Sequence, residues 1–365
     1  MIPMPTMIGA PIEDLDTPVL LVDGPAMERN LRRMAGFFGG RRCQLRPHFK
    51  NHKCTQLARR QLQAGSAVGI TCAKLGEAEA LAEAGIYDVL IANQVVGAPK
   101  LPRLVNVARR IDLRVAVDHV DQARAIAQAS AKEGVTVGVL VEIDIGMGRC
   151  GVMPGRPALE LARQVAALPG LRFDGLQAYE GHLVSIPDRQ ERRRRTLECV
   201  QLAVETRRLI EDDGLAVGVL SGGSTATYDV TGAIEGVDEV QAGTYATMDW
   251  MYRRLTPEFE LALGVLARVI SRPKPGVAIL DVGFKGLGHE FGPPKPRPHV
   301  GADLESSLNE EHCIIKGALD WRLGQTVELI PSHACTTCNL YRQLHVHQDG
   351  RVVEVWPIEG AGRLA

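Results

Sequence analysis

Lys50 closes the short run QLRPHF at 44–49, reading Arg46-Pro47-His48-Phe49-Lys50. An amine at the end of a buried strand can form a Schiff base with an aldehyde, although a lysine taken alone is most often a solvated cation. Two later runs end in Ser221-Gly222-Gly223-Ser224-Thr225 and Gln241-Ala242-Gly243-Thr244-Tyr245. Such loops offer backbone N–H and hydroxyl donors to a phosphate without a cationic clamp; each by itself is an ordinary turn. A third loop, Asp144-Ile145-Gly146-Met147-Gly148-Arg149-Cys150-Gly151, places an arginine among glycines that let backbone approach a ligand. Its plain alternative is a surface arginine. An amine facing a phosphate site suggests a phosphorylated aldehyde.

These residues need a scaffold that brings strand ends together. Apolar, β-branched runs occur at 44–49, 67–73, 88–94, 114–119, 137–146, 173–181, 217–223 and 239–243, with amphipathic helical patterns between most of them. Continuous apolar runs suit a parallel sheet buried on both faces. Eight such units predict a (β/α)8 barrel with its active site at the C-terminal strand ends; an open doubly wound sheet is the alternative. Beyond about residue 256 the pattern turns to strands, and HQDGRV carries an Asp-Gly hairpin signal. The expected organisation is therefore a barrel over 25–255 and a β domain over 256–365, with residues 1–24, including the strand PVLLVD, packing on the latter.

Composition excludes several classes. There are 42 basic and 43 acidic residues, which gives no electrostatic footprint for nucleic acid. The one basic run, Arg192 to Arg195, reads as a solvated helix face. No apolar stretch approaches the length of a membrane span, and the N-terminus, with acidic residues and prolines, does not read as a secretory signal, so the expected location is the cytoplasm. Eight scattered cysteines do not make a disulfide framework.

The strings LRPHFKNHK, DIGMGRCGV, LQAYEGH, SGGSTAT, QAGTYATMD and PSHACTTCNLY together resemble the D-threonine aldolase and D-serine dehydratase family, over about residues 16–358. The resemblance implies a pyridoxal 5'-phosphate (PLP) enzyme with an alanine-racemase-type barrel and a C-terminal β domain. It implies that Lys50 carries the cofactor and acts as base at the substrate α-carbon. Arg149 would face the pyridine nitrogen, with Tyr179 and Gln177 against the cofactor. Gly222, Gly223, Ser224, Gly243, Thr244 and Tyr245 would cradle the phosphate. His333 and Cys335 would bind a divalent metal, zinc or manganese. Aldolases of the family carry a histidine where this chain has Ser185; His182, three residues earlier, is the candidate acid/base. A D-amino acid substrate and a homodimer are also implied.

Two chemistries stay open. QAGTYATMD resembles the aldolase branch, whereas histidine paired with cysteine resembles the zinc-dependent dehydratases that act on D-serine or 3-hydroxy-D-aspartate. A racemase or a PLP carrier without turnover is a further alternative. The spacing of His333 and Cys335 would put both side chains on one face if the backbone there is extended. Thiolate favours zinc, and two protein ligands would leave positions open to substrate oxygens. Cys335 and Cys338 could instead form a redox pair or half of a structural zinc site.

Overall fold

The computed structural model describes residues 7–297, 304–317 and 320–365. The chain opens with β1 (Val19–Asp23) and α1 (Gly24–Phe38). Eight short strands follow: β2 (Gln44–Leu45), β3 (Ile70–Cys72), β4 (Asp88–Gln94), β5 (Asp112–Val117), β6 (Val137–Ile143), β7 (Leu171–Ala178), β8 (Val219–Gly222) and β9 (Glu239–Val240). Between them lie α2 (Thr55–Gln63), α3 (Leu75–Glu83), α4 (Lys100–Ala108), α5 (Val120–Lys132), α6 (Arg156–Ala166), α7 (Arg189–Asp212) and α8 (Tyr228–Thr231). The remainder comprises α9 (Trp250–Leu255), β10 (Leu263–Ser271), β11 (Val277–Leu280), β12 (Lys295–Pro296), β13 (Glu305–Leu308), β14 (Cys313–Lys316), β15 (Thr326–Ile330), α10 (Ala334–Asn339), β16 (Gln343–Gln348) and β17 (Arg351–Pro357).

Two compact units emerge, and the chain crosses between them more than once. One, the barrel unit, holds Met34–Lys50, Leu57–Gly243 and Arg363–Ala365. The other, the β unit, holds the N-terminal segment to Arg33, Asn51–Gln56 and Thr244–Gly362.

In the barrel unit the strands run β2-β9-β8-β7-β6-β5-β4-β3, all parallel. Parallel bridges Leu45–Ala67 and His48–Thr71 join the two ends of this order, so the sheet closes on itself. The barrel expected from eight apolar runs is present, and the open sheet is not. Leu90, Leu140 and Val219, from β4, β6 and β8, pack as a cluster, the alternate-strand layering by which a barrel fills its interior.

The strand N-termini carry an ionic network. Arg46, 2% exposed, donates from Nε and Nη2 to Glu239 at 2.8 and 2.7 Å, and from Nη1 to Asp88 at 2.7 Å. Arg114 also donates to Asp88, at 2.7 Å, and reaches Asp174 at 2.9 Å. Arg172 extends the network to Asp112 at 2.9 Å. These side chains line a cavity of about 740 Å³.

α7 corrects one expectation. Its N-terminus is capped by Asp188, which accepts from the Glu191 N–H at 2.7 Å. Arg194 and Arg195 are exposed and pair with Glu191, as a solvated face should. Arg192, by contrast, is buried and donates to the carbonyls of Ala226 and Ile186. It lies on the inward stripe with Thr196, Val200, Ala203 and Arg207, because four consecutive helical residues span every face of the helix.

In the β unit, strands run β13-β14-β11-β10-β1-β16-β17, with β15 pairing with β10 and β12. β1, the strand read in PVLLVD, pairs antiparallel with β10 and parallel with β16. Leu15, Val19, Leu21, Leu266 and Val352 form one of its cores. β16 and β17 make the expected hairpin, with both turn residues, Asp349 and Gly350, at positive φ. Among the described residues, no helix is long and apolar enough to cross a membrane.

A buried guanidinium stripped of one carboxylate becomes a poorly compensated charge. Glu239→Ala is therefore expected to cost about 3 kcal/mol of unfolding free energy in urea titration. Glu191→Ala, on the solvated face of α7, should leave the urea midpoint in place. Equal midpoints for both variants would show that the Arg46 network contributes nothing net.

Candidate functional site

The C-terminal strand ends of the barrel unit gather three of the expected residues. Lys50 lies in a 3-10 turn, Phe49–Asn51, held by the His48 N–H donating to the Ala242 carbonyl at 3.1 Å. Its Nζ stands 5.8 Å from the ring centroid of Tyr179, which follows β7. The Arg149 guanidinium, from the loop after β6, stands 5.6 Å from the same ring. An amine and a permanent cation thus both approach one aromatic ring, an arrangement favoured by the ring quadrupole.

The loop that carries Arg149 is shaped by Asp144, which accepts from the N–H groups of Gly146 and Gly148 at 2.9 and 3.1 Å. Burial pushes the Asp144 carboxyl up, but these backbone donors and the nearby His182 outweigh it, and its pKa falls below the ordinary value. Glu142, the sixth residue of β6, is buried with Arg149 Nη2 at 3.9 Å from it and Gln94 donating to it. Burial raises the Glu142 pKa against the effects of Gln94 and Arg149. Gln177 is buried in β7 and accepts from Gln241 Nε2 at 3.3 Å, which also donates to Ser221 at 2.9 Å.

The loop after β8 is held from within. A Cβ at Gly222 would lie 2.0 Å from the Ala178 carbonyl oxygen, so only glycine permits the approach of β7 and β8 there. Gly223 has φ of +77°, and its N–H donates to Glu180 at 3.2 Å. The Ser224 N–H donates to Thr227 Oγ1 at 3.0 Å. Gly243, buried, is the last residue of this stretch of the barrel unit.

His182 sits in the 3-10 turn Gly181–Ser185. Its Nε2 is 3.8 Å from Cys199 Sγ of α7, and its ring lies 3.3 Å from where a Cβ on Gly146 would be. Its Nδ1 is buried without a hydrogen bond.

The β unit holds the other candidates. Thr244 accepts the Met248 N–H at 2.7 Å, and the buried Tyr245 ring lies 6.0 Å from Phe259. His333 is extended, at φ −141°, but it is the N-cap of α10, so Cys335 falls in a helical first turn. The expected strand face is therefore absent: β15 ends at Ile330. The pair still meets, because the imidazole and thiol are hydrogen-bonded to each other. Burial lowers the His333 pKa; the hydrogen bond to Cys335 and the electrostatic influence of Cys335, Asp249 and Glu290 more than offset this and raise it to about 9. Asp249, fully buried and raised by that burial to about 6, accepts the Ala334 N–H at 2.9 Å between the two candidates. Asn51, next in chain to Lys50, donates to Cys335 Sγ at 3.7 Å and accepts from Thr247 at 2.8 Å. Cys335 and Cys338 are both free thiols.

In the barrel unit the residue types suit a phosphorylated pyridine aldehyde: an amine for the aldehyde, a guanidinium for the ring nitrogen, a glycine- and hydroxyl-rich loop for the phosphate. Imidazole and thiol suit zinc with open positions. Among the described residues no group of three or more His, Cys, Asp or Glu side chains is disposed to hold a metal, and the His333 imidazole also meets Glu290 at 3.3 Å. Glu142, Glu180 and Asp249 were not singled out in the sequence. Of these, Glu180 and Asp249 were within reach, as the residue after Tyr179 in LQAYEGH and the last residue of QAGTYATMD.

The family model described as "Alanine racemase, N-terminal domain" matches residues 22–249, and that described as "Putative serine dehydratase domain" matches 262–347. A D-threonine aldolase from Arthrobacter sp is 38% identical, over 99% of this chain and 97% of its own. The crystal structure of a D-threonine aldolase from Filomicrobium marinum superposes with a TM-score of 0.95 at 39% identity, covering 99% of both chains. That of D-threo-3-hydroxyaspartate dehydratase from Delftia sp. HT23 gives 0.86 at 30%, covering 95% of this chain and 98% of the other.

The depressed Asp144 pKa sets the pH range of the Arg149 loop. An ionised carboxylate accepts from Gly146 and Gly148; a protonated one loses acceptor strength. The stabilisation should be present above the ordinary carboxyl value of 3.8 and be lost only as pH falls through the lower folded value. Amide chemical shifts of Gly146 and Gly148 should titrate together with a midpoint below 3.8. A midpoint at or above it would contradict the assigned bonds.

Proposed function

This chain belongs to the D-threonine aldolase and D-serine dehydratase family, PLP-dependent lyases of D-3-hydroxy amino acids on an alanine-racemase-type barrel, and from that premise we propose that it cleaves D-threonine to glycine and acetaldehyde. The observation that carries the cofactor assignment is the convergence of Lys50 and Arg149 on Tyr179. The aldolases at 38% and 39% identity support carbon–carbon cleavage over elimination.

When bound, PLP supplies an electron sink for the charge left at the substrate α-carbon. Lys50 Nζ would hold the cofactor and then move the proton at that carbon. Arg149, always charged and donor-only, would donate to the pyridine nitrogen and cannot accept a hydrogen bond from a protonated one, so it would favour the unprotonated nitrogen. The buried Glu142 carboxylate and Gln94 orient the guanidinium. Tyr179 would lie against the ring, Gln177 would support it, and Gly222, Gly223, Ser224, Gly243, Thr244 and Tyr245 would contribute to the phosphate end. His333 and Cys335 would hold a zinc or manganese ion, whose chemistry there would be to polarise the substrate's 3-hydroxyl. His182 would exchange a proton with that hydroxyl.

The His333–Cys335 pair favours a second reading, a dehydratase of the kind found in Delftia sp. HT23. Products separate the two. With PLP and zinc or manganese, D-threonine should yield glycine and acetaldehyde, and L-threonine should not react. An oxo acid and ammonia from D-serine or 3-hydroxy-D-aspartate, with no glycine from D-threonine, would replace aldolase by dehydratase. The same reading takes the enzyme as a cytoplasmic homodimer, which light scattering of the purified protein would test for mass.

Two perturbations probe the assigned groups. Lys50→Ala should lower turnover by about a thousandfold and abolish the cofactor's absorbance as a lysine adduct; an adduct trapped on Lys53 instead would move the assignment. Exhaustive chelation should abolish turnover while that absorbance persists, with activity returning on addition of zinc or manganese. Full activity without detectable metal would eliminate the metal's part in catalysis.

A further inference from the structure

Glu180 is fully buried and accepts hydrogen bonds at both carboxylate oxygens. Its three hydrogen-bond donors are neutral: the Gly223 N–H at 3.2 Å to Oε2, and the hydroxyls of Thr227 and Thr231 at 2.8 and 2.6 Å to Oε1. A carboxylate in such a place is costly to dehydrate, and three converging donors are what offset the cost. Those donors come from one loop and from α8, which follows it. Glu180 itself follows Tyr179, whose ring faces Lys50 and Arg149.

The bonds beyond Glu180 have a fixed sense. A threonine hydroxyl has one proton, and Thr227 gives its proton to Glu180. Thr227 Oγ1 must then accept from its remaining neighbours, the Ser224 N–H at 3.0 Å and the Ser224 hydroxyl at 3.0 Å. Ser224 Oγ in turn accepts the Ala226 N–H at 3.2 Å. One acceptor at the root therefore orders the hydrogens from Gly223 to Thr227. The single Ser224 hydroxyl proton is thereby held on Thr227 Oγ1, which closes the ordered run that starts at Glu180. The Gly223 N–H is already engaged, so that glycine serves the turn.

We propose that Glu180 is the positioning residue of the phosphate loop: an internal acceptor that sets Gly223–Thr227 in a phosphate-receiving shape and so determines the preference for a phosphorylated cofactor over its dephosphorylated form. This rests on the PLP reading given above. Glu180 touches neither cofactor nor substrate in this account; it acts through the loop.

The test compares PLP with pyridoxal, which shares the aldehyde and ring but lacks the phosphate. The full-length apoenzyme is titrated with each, and the lysine adduct is followed by absorbance; inorganic phosphate is used as a competitor. Glu180→Gln keeps the shape but turns an acceptor into a donor against the Gly223 N–H or the threonine hydroxyls. It should weaken PLP binding by about tenfold or more and weaken phosphate competition in step, while pyridoxal affinity stays within about twofold. Thr231→Val, which removes one donor and little volume, should shift the PLP-to-pyridoxal ratio the same way by a smaller factor. It decides the question if Glu180→Gln does not fold. An unchanged ratio in the variant, whether both affinities hold or both fall equally, overturns the proposal. A wild-type apoenzyme that shows no preference for PLP over pyridoxal overturns the cofactor reading itself, and this inference with it.

Discussion

The barrel unit is organised around one guanidinium removed from water. Arg46 can be buried only because Glu239 takes two of its N–H groups and Asp88 another. Those carboxylates stand at the first residues of β9 and β4, so satisfying one side chain fixes the closing strand β2 against its neighbour β9 and against a strand beyond the seam. Arg46 is four residues before Lys50 on the same short segment. The ion network at the strand N-termini and the amine at the other end are thereby two ends of one constraint.

Within each unit the use of a buried carboxylate is repeated among the candidate residues. Glu142 stands behind Arg149, Glu180 behind the loop after β8, and Asp249 behind the turn that carries His333 and Cys335. Each is buried and acceptor-only when ionised, and each stands beside a segment that carries glycine or hydroxyl-bearing residues. Loops of glycine, serine and threonine have little side-chain packing to hold them, so their shape must come from hydrogen bonds. Chemistry exposed on mobile-looking sequence is thus held by carboxylates hidden one layer below.

Much of this was legible in the residues. The eight strands announce themselves because parallel strands buried on both faces read as unbroken apolar runs, and the Asp-Gly pair marks the β16–β17 turn because both residues adopt positive φ. What escaped has physical reasons. The segment HACTTCN lacks strand periodicity, and its threonines and cysteines are poor markers of either state; its helix depends on Asp249 capping from another element. Arg192 was misjudged because a charge run hides which of its members faces inward. The passage of Asn51–Gln56 into the β unit leaves no trace in composition. Glu142 and Glu180 read as ordinary polar residues, since burial of a carboxylate is decided by donors dozens of residues away.

The ionic network also gives the barrel a particular response to heat. Hydration of charged groups becomes less favourable as temperature rises, so the cost of keeping Arg46, Glu239 and their neighbours out of water shrinks on warming. Apolar burial, which supplies layers such as Leu90, Leu140 and Val219, gains nothing comparable per unit area. The ionic ties from Arg46 to β9 and to β4 are therefore the part of the barrel whose relative contribution grows with temperature, and warming shifts the weight of closure from oil-like contacts to ions.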